Sequence, residues 1–201
     1  MSVFPFWAKG PPEYSPALSF RQSFDQHNME EVKKLLIAEV RKRLMEEGVP
    51  RIKKCLSELN EQEIWMRPNE HSNGVGNLVL HLCGNVRQWV VSGLGGLPDT
   101  RNRSLEFNEK GPIPTSELIA RLDAVMEETD QVLNLLTSEQ IVQPINIQGF
   151  DETGLSVLVH VMEHFSYHVG QITYFVKWKK DIDTAYYGGM ELNEFGEGKT
   201  E

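Results

Sequence analysis

Six histidines occur among the 201 residues, and three of them, His160, His164 and His168, are spaced four apart. On a helix that spacing stacks neighbouring imidazoles along one face, with ring nitrogens able to converge on a point. Imidazole is the commonest side-chain ligand for transition metals, so metal binding is the chemistry this run suggests first. At about 100° per residue, His164 and His168 lie beside the aliphatic residues of the same segment, whereas His160 turns toward Glu163, Ser166 and Gly170. His160 is the weaker ligand candidate.

A further candidate lies upstream. Val75, Leu78, Leu82, Val86 and Trp89 repeat at helical spacing, and Asn77, His81, Asn85 and Gln88 form a polar stripe alongside them. If the two segments pack as neighbours, one imidazole from the first and two from the second could hold a divalent ion and leave coordination positions open, as catalytic sites do. The competing reading is that each histidine is a core residue bonded to a carbonyl. Spacing alone leaves both open. Two familiar helical motifs are excluded: H-E-x-x-H would need Glu where Phe165 stands, and the Glu-x-x-His of di-iron bundles occurs nowhere. Any site should be mononuclear, and three imidazoles suit zinc, nickel, copper or iron.

Other polar residues have two readings as well. Arg101, Arg103 and Glu106 could bring a guanidinium fork to an anionic substrate, or form an ordinary salt bridge in a loop. Asn85 and Gln88 could orient a ligand or a water, or cap buried backbone. Glu163, as a general base, would point away from His164 and His168. Cys83 sits about 200° around the helix from His81. It and Cys55 read as small packing residues, and without a C-x-x-C spacing they suggest neither a disulfide framework nor a cysteine zinc site. Trp65, Trp89, Trp178, Tyr186 and Tyr187 read as core.

Four segments must position these groups. The first carries Val32, Leu36, Val40 and Leu44, then Val49, Ile52, Leu56 and Leu59, with Gly48 and Pro50 expected to kink or divide it. The second runs from about Val75 to Ser92 and stops at GLGG. The third opens at Pro114-Thr115-Ser116 and buries Leu118, Leu122, Val125, Met126, Thr129, Val132, Leu133 and Leu136. The fourth buries Leu155, Leu158, Met162, Phe165, Val169, Ile172 and Val176 and fades at Lys177, Lys179 and Lys180. Asp99 to Pro114 is a long polar connection. Residues 1–28 read as an extended N-terminal arm, 29–180 as the helical domain and 181–201 as a C-terminal tail.

A formal charge of −9 sets the protein's field against a nucleic-acid partner. No apolar run is long enough for a membrane span, and the proline-broken opening lacks the apolar core of a signal peptide. A cytoplasmic protein is expected.

Two stretches then resemble a known family. NLVLHLCGN (Asn77 to Asn85) and EHFSYHVGQI (Glu163 to Ile172) are similar to the two histidine motifs of DinB-like proteins. One branch also has G-N-L-V-L-H-L-x-G-N-x-R-Q-W and R-x-R-x-x-E-F, matched by Gly76 to Trp89 and Arg101 to Phe107. The resemblance runs from Met29 to Tyr187. It implies an all-α, up-and-down four-helix bundle, a homodimer, and one nickel or zinc ion held by His81, His164 and His168. Characterised relatives include bacillithiol transferases and mycothiol-dependent maleylpyruvate isomerase, so it implies a metal-dependent transferase or hydrolase acting on a small-molecule substrate, with a low-molecular-weight thiol as one candidate. The alternative is a non-catalytic metal-binding or stress-response bundle protein. His160 and the long connection after the second helix depart from many relatives, so their substrates do not carry over.

Overall fold

The computed structural model describes residues 16–190, the first ten by backbone alone. Residues 1–15 of the arm expected over 1–28, and residues 191–201 of the tail expected over 181–201, lie outside the described residues. Helix α1 (Pro16–Arg41) begins inside the stretch expected to be extended. It passes through widened π-helical turns at Lys42–Gly48 into α2 (Val49–Ser57). The disturbance anticipated at Gly48 and Pro50 thus takes the form of a π segment. Pro50 has no N–H to give and its ring crowds the carbonyl one turn back, a conflict that a wider turn relieves. Gly48 is needed as well, because a Cβ there would stand 2.6 Å from Phe165 Cε1.

A short α3 (Glu61–Ile64), closed by an Asn60/Glu63 capping box, precedes α4 (Val75–Val86), which continues as π turns over Arg87–Leu94 and ends at Gly95. Next come α5 (Arg103–Asn108), α6 (Thr115–Leu135) and α7 (Ser138–Val142). Strands β1 (Pro144–Ile147) and β2 (Phe150–Thr153) pair antiparallel, with Ile147 opposite Phe150. The turn between them places Gln148 and Gly149 at φ 56° and 85°, the left-handed pair that a tight hairpin needs. Helix α8 (Gly154–Lys180) follows at once, with Thr153 as its N-cap. The protein is mostly helical, but this hairpin corrects the purely all-α expectation. Runs of four residues are too short for alternation to register as a strand.

The third stripe is buried as read, Leu118 through Leu136. In the fourth, Val157, Val161 and Phe175 join the core, while Leu155 is 45% exposed. Val32 of the first stripe is 49% exposed.

Cross-helix contacts give each helix a direction. Arg41 pairs with Asp130 and Lys53 with Asp123, so α1–α2 runs antiparallel to α6. Gly48 meets Phe165 and Cys55 approaches Thr173, so α2 and α8 are parallel. His81 meets His164 while Trp89 stacks on His160, so α4 opposes α8. Finally, Cys83 and Arg121 line one recess, Arg87 pairs with Glu128, and Gly95 lies against Val132, so α4 and α6 are parallel. The up-and-down expectation is therefore wrong, since the order is up, down, down, up. Two consecutive parallel helices require a chain that returns the length of the first, and residues 95–114 do this. Hydrophobic periodicity tells which face of a helix is buried but carries no sense of direction.

Among the described residues no helix is long and apolar enough to cross a membrane.

Candidate metal centre

Antiparallel packing of α4 on α8 sets His81 against the i, i+4 pair. The ring centroids of His81, His164 and His168 are 5.0, 5.0 and 4.5 Å apart, each pair edge-on. One ligand atom from each lies within 4.8 Å of the others. His81 and His168 are buried and His164 is half-buried.

The atoms behind two of the rings decide which nitrogens converge. His81 Nδ1 lies 2.9 Å from Glu106 Oε2 and 3.0 Å from Arg101 Nη2. Arginine cannot accept, and its Nη2 already donates to the same carboxylate oxygen at 2.8 Å. We therefore assign the proton to Nδ1, donated to Glu106, which leaves Nε2 as a lone pair. His168 Nδ1 donates to Gln171 Oε1 at 2.7 Å, again freeing Nε2. His81 Nε2 and His164 Nε2 stand 2.9 Å apart, so in this form they share one proton.

These observations fit a cation. Nitrogens bound at about 2.0–2.1 Å in a tetrahedral site stand roughly 3.3 Å apart, so small movements would let an ion replace the shared proton. Burial, and then the neighbouring His168 and His81, push the His164 imidazolium pKa down to about 3. Burial also lowers His168. Metal binding requires neutral imidazoles, and burial favours that form at His164 and His168.

The crossover chain completes the site. Arg101 grips Glu106 through two parallel bonds, Nε to Oε1 at 2.7 Å and Nη2 to Oε2 at 2.8 Å, with both side chains at most 10% exposed. Arg101 Nη1 also reaches Gln88 Oε1 at 2.9 Å, while Gln88 Nε2 holds Asp99 Oδ2 at 2.6 Å. Asn77 donates to the carbonyls of Glu106 and Glu109, both at 2.9 Å, which fixes the backbone that carries the carboxylate. Gly84 makes the approach possible, because a Cβ there would overlap Glu106 Oε1. Burial by itself would raise the Glu106 carboxyl, but hydrogen bonds from Arg101 and His81 outweigh it and hold the group below the usual carboxylate range.

Several sequence readings resolve here. Arg101 and Glu106 form an internal ion pair rather than an exposed anion fork. Arg103 instead covers the Phe107 ring at 4.8 Å. His160 lies outside the three-histidine cluster: it stacks between Trp89, at 4.0 Å, and His164, at 5.5 Å. Glu163 is exposed, and Cys83 is pushed up to about 12 by burial. Trp89 is core, whereas Trp178 and Tyr187 are 58% and 52% exposed. Gln171 went unnoticed, although its i+3 spacing from His168 was legible.

Beyond His168 and Gln171, the α4/α8 groove opens into a recess of about 690 Å³ whose lining includes Leu78, Tyr167, Gln171, Tyr174, Phe175 and Trp178. Its volume is in the range of small-molecule sites.

A family model described as a protein of unknown function, DUF1572, matches residues 31–186. Among solved structures, the chain is similar to a DinB-like protein, YjoA, from Bacillus subtilis, with 20% identity and a TM-score of 0.54 over 70% of this chain and 91% of that one. It is also similar to a DinB-like protein from Bacillus cereus, with 16% identity and a TM-score of 0.52 over 66% and 86% of the two chains. No curated protein is significantly similar to it.

Proposed function

The chain belongs to the DUF1572 family and shares the fold of DinB-like proteins, and from that premise we propose that it is a metal-dependent enzyme with one divalent ion held by His81, His164 and His168. Its four long helical segments would then be a four-helix bundle of the up, down, down, up order. The observation that carries the reading is the convergence of the three imidazoles, two of them with Nδ1 already engaged by Glu106 and Gln171. Histidines merely satisfied in a core would not need their remaining nitrogens aimed at one another.

Nickel or zinc suits the all-nitrogen set. Such an ion supplies Lewis acidity that brings a water or thiol toward ionisation near neutral pH. The chain's own contribution is to hold the ligands: Glu106 keeps His81 in the Nδ1–H tautomer, Arg101 keeps Glu106 ionised and in place, and Gln171 turns His168. The recess beside Gln171 would take a small-molecule substrate, a low-molecular-weight thiol being one candidate. Hydrolysis and thiol transfer are the candidate reactions.

A second reading follows from the site's position across α4 and α8, where an ion would tie two helices together without catalysis. The deciding experiment is elemental analysis of protein purified without a histidine tag, beside its His81→Ala variant. Near-stoichiometric metal that is lost in the variant is expected. No metal in either, even after reconstitution, would overturn the proposal. Turnover of thiol or hydrolase substrates by the loaded protein separates the first reading from the second.

A further inference from the structure

Asn85 stands on α4 one turn beyond His81 and one turn before Trp89. It is 4% exposed, yet its Oδ1 has no hydrogen-bond partner among the described residues. Both residues that bracket it face α8, since His81 meets His164 and His168 while Trp89 stacks on His160. Residues four apart share a helix face, so Asn85 lies between them on the side of α4 that faces α8. The amide is therefore placed toward α8 at the level between His164 and His160.

A buried amide oxygen is almost always paired with a donor. As packing alone this position would suit leucine, which has nearly the same shape and no acceptor to satisfy. The three imidazoles would leave at least one coordination position without a protein ligand, and a water or substrate molecule there would carry an O–H or S–H donor. We infer that Asn85 Oδ1 accepts a hydrogen bond from that exchangeable ligand, a water molecule in the absence of substrate, and so positions it. The inference rests on the metal-binding reading above and makes Asn85 a positioning residue that has no bond to the ion.

The test compares the full chain with Asn85→Leu and Asn85→Asp, using zinc(II) and cobalt(II) as probes. Without metal, Asn85→Leu should melt no lower than wild type, because it removes a buried amide whose oxygen has no hydrogen bond among the described residues. Its zinc affinity, by isothermal titration calorimetry, should fall about tenfold, and the visible bands of its cobalt(II) form should shift. Asn85→Asp retains an acceptor and should keep zinc affinity at or above that of wild type. Wild-type zinc affinity with an unchanged cobalt spectrum in Asn85→Leu overturns the inference. So does a marked loss of metal-free stability in that variant, which would show that the amide serves the protein's own packing. A wild-type chain that takes up no zinc overturns the metal reading and this inference together.

Discussion

Arg101 lies across both carboxylate oxygens of Glu106, at 2.7 and 2.8 Å, and Glu106 in turn receives His81 Nδ1 at 2.9 Å. The chain of contact runs from the crossover segment to an imidazole at the heart of the site, so disturbing either acidic or basic partner should be felt at the three-histidine cluster.

Glu106→Gln keeps the shape but gives up the charge that holds His81 in its tautomer. Metal affinity should fall about 10- to 100-fold with the fold intact, as calorimetric titration beside circular dichroism would read. Arg101→Met strands a buried carboxylate and should cost roughly 3–5 kcal/mol of unfolding free energy, measured by denaturant titration. Gly84→Ala should weaken metal binding in the same direction, because its Cβ displaces Glu106. Unchanged affinity in all three would remove Glu106 from the site.

His160 and His164 belong to one run of histidines but should behave differently. Removing His164 or His168 should abolish stoichiometric binding, whereas His160→Ala, which takes away a ring stacked between Trp89 and His164, should leave affinity within about tenfold of wild type. Equal loss at all three positions, measured by metal analysis after gel filtration, would contradict the ligand set.

The metal-free protein should lose stability as pH falls below neutral. His164 titrates at about 3 when folded against 6.5 as a free side chain, and His168 is shifted the same way. Between the two values the unfolded chain binds a proton that the folded chain does not, so stability is complete above about 6.5 and declines on acidification through that window. Glu106, lowered by its partners, adds a loss in the same direction at more acidic pH, through its own folded value. His164→Leu should flatten the melting-temperature profile between pH 6.5 and pH 4.5 in metal-free buffer. A variant as pH-sensitive as wild type would refute the assignment.

Much of this was legible in the residues. The spacing of His164 and His168 placed two imidazoles on one helix face, and the polar stripe of His81, Asn85 and Gln88 marked the facing helix. The GLGG stop and the Pro114-Thr115-Ser116 start bracketed a long polar connection, but nothing in them showed that it crosses back rather than simply reversing the chain. Gly48 and Pro50 marked the place where the first helix becomes irregular, although a widened turn and a kink look alike in sequence.

Periodicity, caps and breakers are local, so the sequence by itself determined the bodies of the four long helical segments, most of the faces they bury and which histidines could share a face, but not the early start of α1 or the short elements α3, α5, α7, β1 and β2. Direction and partnership are not local. That α4 and α6 run parallel, that residues 95–114 must therefore cross back along α4, and that this crossing lays Arg101 and Glu106 on His81 were decided only when the helices packed. Gly84 alone shows the difference: in sequence it is a weak helix residue, and in the fold it is the space that a carboxylate occupies beside His81.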